Sequence, residues 1–195
     1  PTPVQELIIP MALTTDEDFI ALAQTGTGKT AAFGLPLLQR INPEEKNVQA
    51  LVLCPTRELC VQVANDLETY SQYAHQYKVV AVYGGASIET QIRKIKAGAQ
   101  IIVATPGRLV DLLVRQVARL DKVARIVLDE ADEMLNMGFQ EDIDAILETA
   151  PKDRRTWLFS ATMPHEVAVI AANYMTDPLE IVVGELNGGA SNIEH

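Results

Sequence analysis

Residues 23–30 read "AQTGTGKT". A phosphate-binding loop is normally G-x-x-x-x-G-K-[ST], yet the first position here holds Ala23, so the stretch is either a different glycine-rich turn or a variant of that loop. It follows the apolar run "FIALA" (residues 19–23) and leads into the helical segment "AAFGLPLLQR" (residues 31–40). Strand, tight turn and helix are the setting a phosphate loop requires. Gly26 and Gly28 permit the turn, backbone N–H groups at the helix start converge on phosphate, Lys29 adds a point charge, and Thr30 offers a hydroxyl to magnesium. The positive end of the helix dipole acts in the same direction.

Such a loop needs a carboxylate beyond another strand. "RIVLDEAD" (residues 125–132) supplies one, with apolar Ile126, Val127 and Leu128 followed by Asp129 and Glu130. Two adjacent acids allow a division of labour: Asp129 holds magnesium, and Glu130 orients or deprotonates an attacking water.

Short Val/Ile/Leu-rich runs recur at residues 19–23, 50–54, 78–83, 100–104, 125–129, 156–160 and 179–183. Most are continuously apolar, as expected of strands covered on both faces. Between them lie stretches with apolar residues three or four apart, such as Leu59, Val63 and Leu67, or Ile143, Ile146 and Leu147. Strands alternating with helices predict an α/β fold, a mainly parallel sheet of about seven strands with helices on both faces. The expected domain spans residues 1–183, and residues 184–195 ("GELNGGASNIEH") shift to Gly, Asn and Ser as a linker does. In open α/β sheets ligands gather beyond the carboxyl ends of the strands, so the residues after each strand carry the candidate chemistry.

Composition sets the outer limits. The 195 residues with 48% hydrophobic content are enough for one well-buried core. No apolar run approaches the roughly 18 residues that cross a bilayer, and a soluble, cytoplasmic protein is expected. Cys54 and Cys60 lack C-x-x-C spacing, and three histidines are scattered, so neither a disulfide framework nor a structural metal is expected. The net charge is −10, but residues 91–125 hold eight basic side chains (Arg93, Lys94, Lys96, Arg108, Arg115, Arg119, Lys122, Arg125) against Asp111 and Asp121, a local balance of +6. That asymmetry fits either a confined anion-binding face or a solvated surface balanced by neighbouring acids.

Taken together, "AQTGTGKT", "PTRELC" (residues 55–60), "TPGR" (residues 105–108), "DEAD" (residues 129–132) and "SAT" (residues 160–162) resemble the motifs of the first RecA-like domain of a DEAD-box RNA helicase, in that family's order. There the loop usually begins with Ala, which accounts for Ala23. The resemblance implies a RecA-like P-loop fold using ATP and Mg2+, with Gln5 of "PTPVQ" reading adenine as a Q motif. Ala23, Gln24, Thr25, Gly26, Thr27, Gly28, Lys29 and Thr30 would hold nucleotide, with Thr30 and Asp129 on the metal and Lys29, Asp129 and Glu130 in catalysis. It further implies that Pro55, Thr56 and Arg57, with Gly84 and Gly85, and with Thr105, Pro106, Gly107 and Arg108, grip the backbone of one RNA strand. Asp132, Ser160 and Thr162 would couple ATP state to RNA, and a second RecA-like domain would complete the enzyme. Residues 14–18 ("TTDED") depart from the glycine-containing turn that the family places there.

Aromatic content is 5%, with no aromatic interleaved among the basic residues, so backbone readout blind to sequence is expected. Two rival classes remain at this point. One is a nucleotide-switched module that binds a protein partner through its acidic body; the other is a DNA helicase or transport ATPase, which Gln5, "PTREL" and "TPGR" together disfavour.

Overall fold

The structure is a computed structural model that describes residues 1–74 and 77–184. All but one residue of the expected linker, residues 185–195, lie outside the described residues. Seven strands, β1 (Phe19–Leu22), β2 (Ala50–Leu53), β3 (Val79–Val82), β4 (Ile101–Ala104), β5 (Arg125–Leu128), β6 (Arg155–Ser160) and β7 (Leu179–Val182), form one sheet in the order β3-β4-β2-β5-β6-β1-β7. Every neighbouring pair is parallel, so all carboxyl ends lie along one edge.

Period-two alternation splits each apolar strand between two cores. Leu51, Leu53, Ile102, Ile126, Leu128 and Leu158 face one side, where α5 (Pro106–Val114), α6 (Ala131–Asn136), α7 (Gln140–Thr149) and α8 (His165–Tyr174) pack. Val52, Ile101, Val103, Val127, Trp157 and Phe159 face the other, beneath α1 (Pro3–Thr14), α2 (Lys29–Gln39) and α3 (Arg57–Ser71). Continuous apolar runs are therefore what this sheet demands. The remaining helix, α4 (Ile88–Lys96), contributes Ile95 to the first core.

Rings from three elements meet on the α1–α3 side. Phe19 stacks on Trp157 at 5.2 Å and meets Phe159 edge-on at 5.7 Å, while Phe33 of α2 lies 5.3 Å from Phe159. This fixes the helix after the glycine loop against β1 and β6. Cys54 and Cys60 are both buried and free, and burial pushes the Cys54 thiol up, as suits packing rather than redox chemistry.

The sequence periodicity gives no element ahead of β1, yet residues 3–14 form a helix. Pro3 sits at its start, where a missing N–H costs nothing, and Thr2 and Gln5 close a reciprocal capping box. The "TTDED" segment ends that helix and finds new partners: Asp16 pairs with Arg125 at 2.6 Å, Arg155 at 3.7 Å and Arg40 at 3.9 Å. Asp18, only 3% exposed, accepts hydrogen bonds from the N–H groups of Thr156 at 2.8 Å and Thr176 at 2.7 Å. One carboxylate thus holds the entry to β1 against β6 and the turn before β7.

Asp18→Ala strands the buried Thr156 N–H and removes the acceptor of the part-buried Thr176 N–H, and should lower the unfolding free energy by about 2 kcal/mol in urea titration, with an unchanged denaturant slope.

Candidate functional site

The order of the sheet places β6 between β1 and β5, so the glycine loop, residues 129–132 and "SAT" share one edge. The loop turns through two left-handed glycines, Gly26 at φ 74° and Gly28 at φ 86°, which an L side chain rarely adopts. Gly28 then caps α2 with no side-chain hydrogen bond, leaving the first-turn N–H groups for an anion. Thr27 Oγ1 donates to Gln24 O at 2.8 Å across the turn. Ala23 is buried, whereas Gln24, Thr25 and Gly26 are exposed and Thr30 half-buried.

Below the loop, Lys29 Nζ lies 3.8 Å from Asp129 Oδ1, with side chains 6% and 3% exposed. That distance is an ion pair beyond hydrogen-bond reach, and neither atom has a hydrogen-bond partner among the described residues. Burial pushes the Asp129 carboxyl up to about 6; Lys29 pulls it down and Glu130 pushes it further up. A buried, incompletely satisfied cation and carboxylate mark a place built for something charged. Glu130 is held at φ 51°, ψ 53° at the start of α6, a costly conformation for a non-glycine residue and of the kind found at functional sites. The oxygen donors of Thr30 and Asp129 suit a hard cation whose other ligands come from phosphates and water. No cluster of three or more His, Cys, Asp or Glu capable of holding a metal occurs among the described residues.

The start of α1 closes the loop from the other side. Thr2 Oγ1 donates to Thr27 O at 2.7 Å and Gln5 Nε2 donates to Gly28 O at 3.2 Å. A Cβ at Gly28 would stand 2.5 Å from Gln5 Nε2, so any other residue would displace that amide as well as strain the backbone. Gln5 Oε1 accepts from Thr2 N at 3.0 Å, leaving the amide one further N–H and one lone pair. Thr2 escaped the sequence reading, although the T-x-x-Q capping-box spacing signals it.

Asp132 bridges to "SAT". Thr162 Oγ1 and Thr162 N donate to its Oδ2 at 2.8 and 3.1 Å, and Asp132 N donates to Ser160 Oγ at 3.2 Å. Partial burial pushes this carboxyl up, but the hydrogen bonds from Thr162, Ser160 and Glu133 outweigh it and hold the group below its ordinary value. Ser160 also accepts from Ala23 N through its carbonyl at 3.0 Å, so it touches both the glycine loop and Asp132.

The other expected residues gather at the exits of β2, β4 and β3, adjacent strands at one side of the sheet. Thr56 caps α3 by accepting from Leu59 N at 3.2 Å, after buried Pro55. Thr105 begins α5 with Pro106 next and makes no cap bond, while Gly107 leaves 3.6 Å between its would-be Cβ and Asp142 Oδ2. Gly84 and left-handed Gly85 (φ 79°) are exposed. The Arg57 guanidinium lies over the Tyr83 ring at 5.0 Å. Arg108 is engaged inside the protein, Nη1 donating to Ala86 O at 3.1 Å and Gln91 Oε1 at 3.2 Å.

The basic segment is not one face. Arg115 pairs with Asp111 at 2.8 Å, Arg119 with Asp121 at 3.3 Å and Arg125 with Asp16 at 2.6 Å. Arg125 opens β5, so it sits at the edge opposite the strand exits. Asp111 and Asp121 are already counted in the +6 balance, so only the Arg125–Asp16 pair offsets it further, but the charge is dispersed because a parallel strand separates its two ends onto opposite edges.

An all-parallel seven-stranded sheet covered by helices, with a glycine loop after β1 and a buried carboxylate after β5, has RecA-like architecture. A profile of the DEAD/DEAH box helicase family matches residues 2–170. The chain belongs to the DEAD/DEAH box helicase family. It is 50% identical over 193 residues to "DEAD-box ATP-dependent RNA helicase CshA" of Bacillus subtilis, covering 99% of this chain and 39% of that protein. With "ATP-dependent RNA helicase DeaD" of Haemophilus influenzae it shares 45% over 194 residues, 100% of this chain and 32% of the relative. The chain therefore spans well under half the length of these relatives. Among solved structures, a DEAD box protein from Methanococcus jannaschii superposes with a TM-score of 0.89 at 43% identity, covering 93% of this chain and 49% of that one.

The raised pKa of Asp129 has a defined sign. A carboxyl that holds its proton more tightly in the folded state adds stability as pH falls, and that contribution is lost as pH rises through about 6. Wild type should therefore gain stability relative to Asp129→Asn between pH 7 and pH 4, by up to roughly 3 kcal/mol, in paired denaturation series.

Proposed function

We propose that this chain is the ATP-binding and RNA-backbone-binding half of an ATP-dependent RNA helicase, in which hydrolysis drives local opening of duplexes. The observation that carries this is the buried Lys29–Asp129 pair, short of hydrogen bonds, under a left-handed glycine loop. In the proposed site the N–H groups of residues 24–30 and the Lys29 ammonium hold the phosphates of ATP. The Thr30 hydroxyl and Asp129 hold Mg2+, which when bound neutralises charge on the phosphate oxygens. Glu130 orients water for in-line attack on the terminal phosphorus, and the leaving oxygen departs with the diphosphate. Gln5 presents its remaining N–H and lone pair to adenine's edge, which gives preference for ATP. A cytoplasmic setting, with ATP at hand, accords with this activity.

Pro55, Thr56, Arg57, Gly84, Gly85, Thr105, Pro106, Gly107 and Arg108 bind the sugar-phosphate backbone, helped by the first-turn amides of α5, which no side chain caps. Asp132, Ser160 and Thr162, bonded across the exits of β5 and β6, couple ATP state to RNA binding. Resemblance to the family places the arginine fingers on a second RecA-like domain, and such groups raise rates roughly 10³ to 10⁵-fold in related enzymes. This chain alone should therefore bind nucleotide with little turnover.

Titration with fluorescent ADP and ATP in the presence of Mg2+, with GTP as competitor, tests the reading. Adenine-selective binding that weakens at least about tenfold in Lys29→Ala is expected; binding indifferent to the base, or retained in that variant, would refute it.

A further inference from the structure

Gln91, in α4, lies outside every motif, yet it is 5% exposed. A buried glutamine must satisfy both ends of its amide. Its Nε2 donates to Tyr83 O at 3.0 Å, immediately before the Gly84–Gly85 pair, and its Oε1 accepts from Arg108 Nη1 at 3.2 Å. The same Nη1 donates to Ala86 O at 3.1 Å, immediately after that pair. Tyr83 in turn carries the Arg57 guanidinium on its ring at 5.0 Å. One amide thus joins the exits of β3 and β4, and through Tyr83 reaches the start of α3.

We propose that Gln91 is a positioning residue for RNA: it sets the Gly84–Gly85 turn against "TPGR" and Arg57, and orients Arg108 through its Nη1. The inference rests on the reading of those strand exits as the RNA grip. Only an amide serves both neighbours. A carboxylate keeps the Arg108 contact but repels the Tyr83 carbonyl, and an aliphatic side chain leaves the half-buried Tyr83 carbonyl without this donor and Arg108 Nη1 with Ala86 O alone. Gln91 is neutral, so a direct bond from it to phosphate would add nothing to the salt slope, whereas displacing the Arg57 guanidinium from phosphate lowers it. Salt dependence therefore separates positioning from direct phosphate contact.

The test is binding of a fluorescent single-stranded RNA oligonucleotide across a salt series to this chain and to its Gln91→Leu, Gln91→Glu and Arg57→Ala variants, with Mg-ADP affinity measured alongside. Gln91→Leu should bind RNA about tenfold more weakly, with a salt slope reduced toward that of Arg57→Ala and with wild-type ADP affinity, and Gln91→Glu should fall between. Arg57→Ala should reduce the slope by about 0.7. If Gln91→Leu does not fold, the size-matched Gln91→Glu decides by weakened RNA binding at unchanged ADP affinity. Wild-type chain that shows no salt-dependent RNA binding would refute the RNA reading, and this inference with it. Wild-type binding that both Gln91 variants reproduce would overturn the inference alone. So would joint loss of RNA and ADP affinity, which marks general damage, or an unchanged slope in a weakened Gln91→Leu, which marks direct contact.

Discussion

The rest of the site is arranged around one unfavourable interaction, the burial of Lys29 and Asp129 at a separation too long for a hydrogen bond. Taking two charges out of water costs more than their attraction at this geometry returns, so the pair is poor ground for stability and good ground for a ligand that completes it. Both residues lie at strand exits and are tied to apolar strands, β1 through the glycine loop and β5 directly. Packing on both faces of the sheet, including the Phe19–Trp157 stack, provides the cohesion that holds the charges there. Glu130, in a left-handed conformation beside the pair, adds local strain borne by the same framework.

The strand order divides labour along one edge. β1, β6 and β5 carry the glycine loop, "SAT" and the acidic run, whereas β2, β4 and β3 carry the three exits joined by Gln91. Ser160 stands inside the first group and touches two of its parts, accepting from Ala23 N with its carbonyl and from Asp132 N with its hydroxyl. Thr162 fixes the Asp132 carboxylate from the same turn. A change at the phosphate loop therefore has a short physical route to the acidic run, through backbone and side chain of a single residue.

What the sequence made legible followed from pattern and punctuation. Short Val/Ile/Leu-rich runs gave all seven strands, most of them continuously apolar because the strands covered on both faces need that, and a hydroxylic residue beside proline gave the starts of α3 and α5. The glycine loop and the acids after β5 were readable because their chemistry constrains residue types at fixed spacing. Helix α1 was not, since two prolines and a weak apolar stripe mask it, although Thr2 and Gln5 carry its capping signature. Gln91 left no trace either: a buried amide has the same letter as an exposed one, and its partners lie 8 and 17 residues away. The cluster of positive charge misled for a related reason. Sequence proximity joined Arg108 to Arg125, while β5 begins at the edge opposite the strand exits.

The central claim is that the Lys29–Asp129 pair exists for a ligand and not for the fold. Replacing both charges at once, in Lys29→Met/Asp129→Asn, tests it most directly, with urea unfolding and Mg-nucleotide binding measured on the same protein. The account predicts a double variant at least as stable as wild type that no longer binds nucleotide. A double variant destabilised by more than about 2 kcal/mol that still binds nucleotide would contradict it.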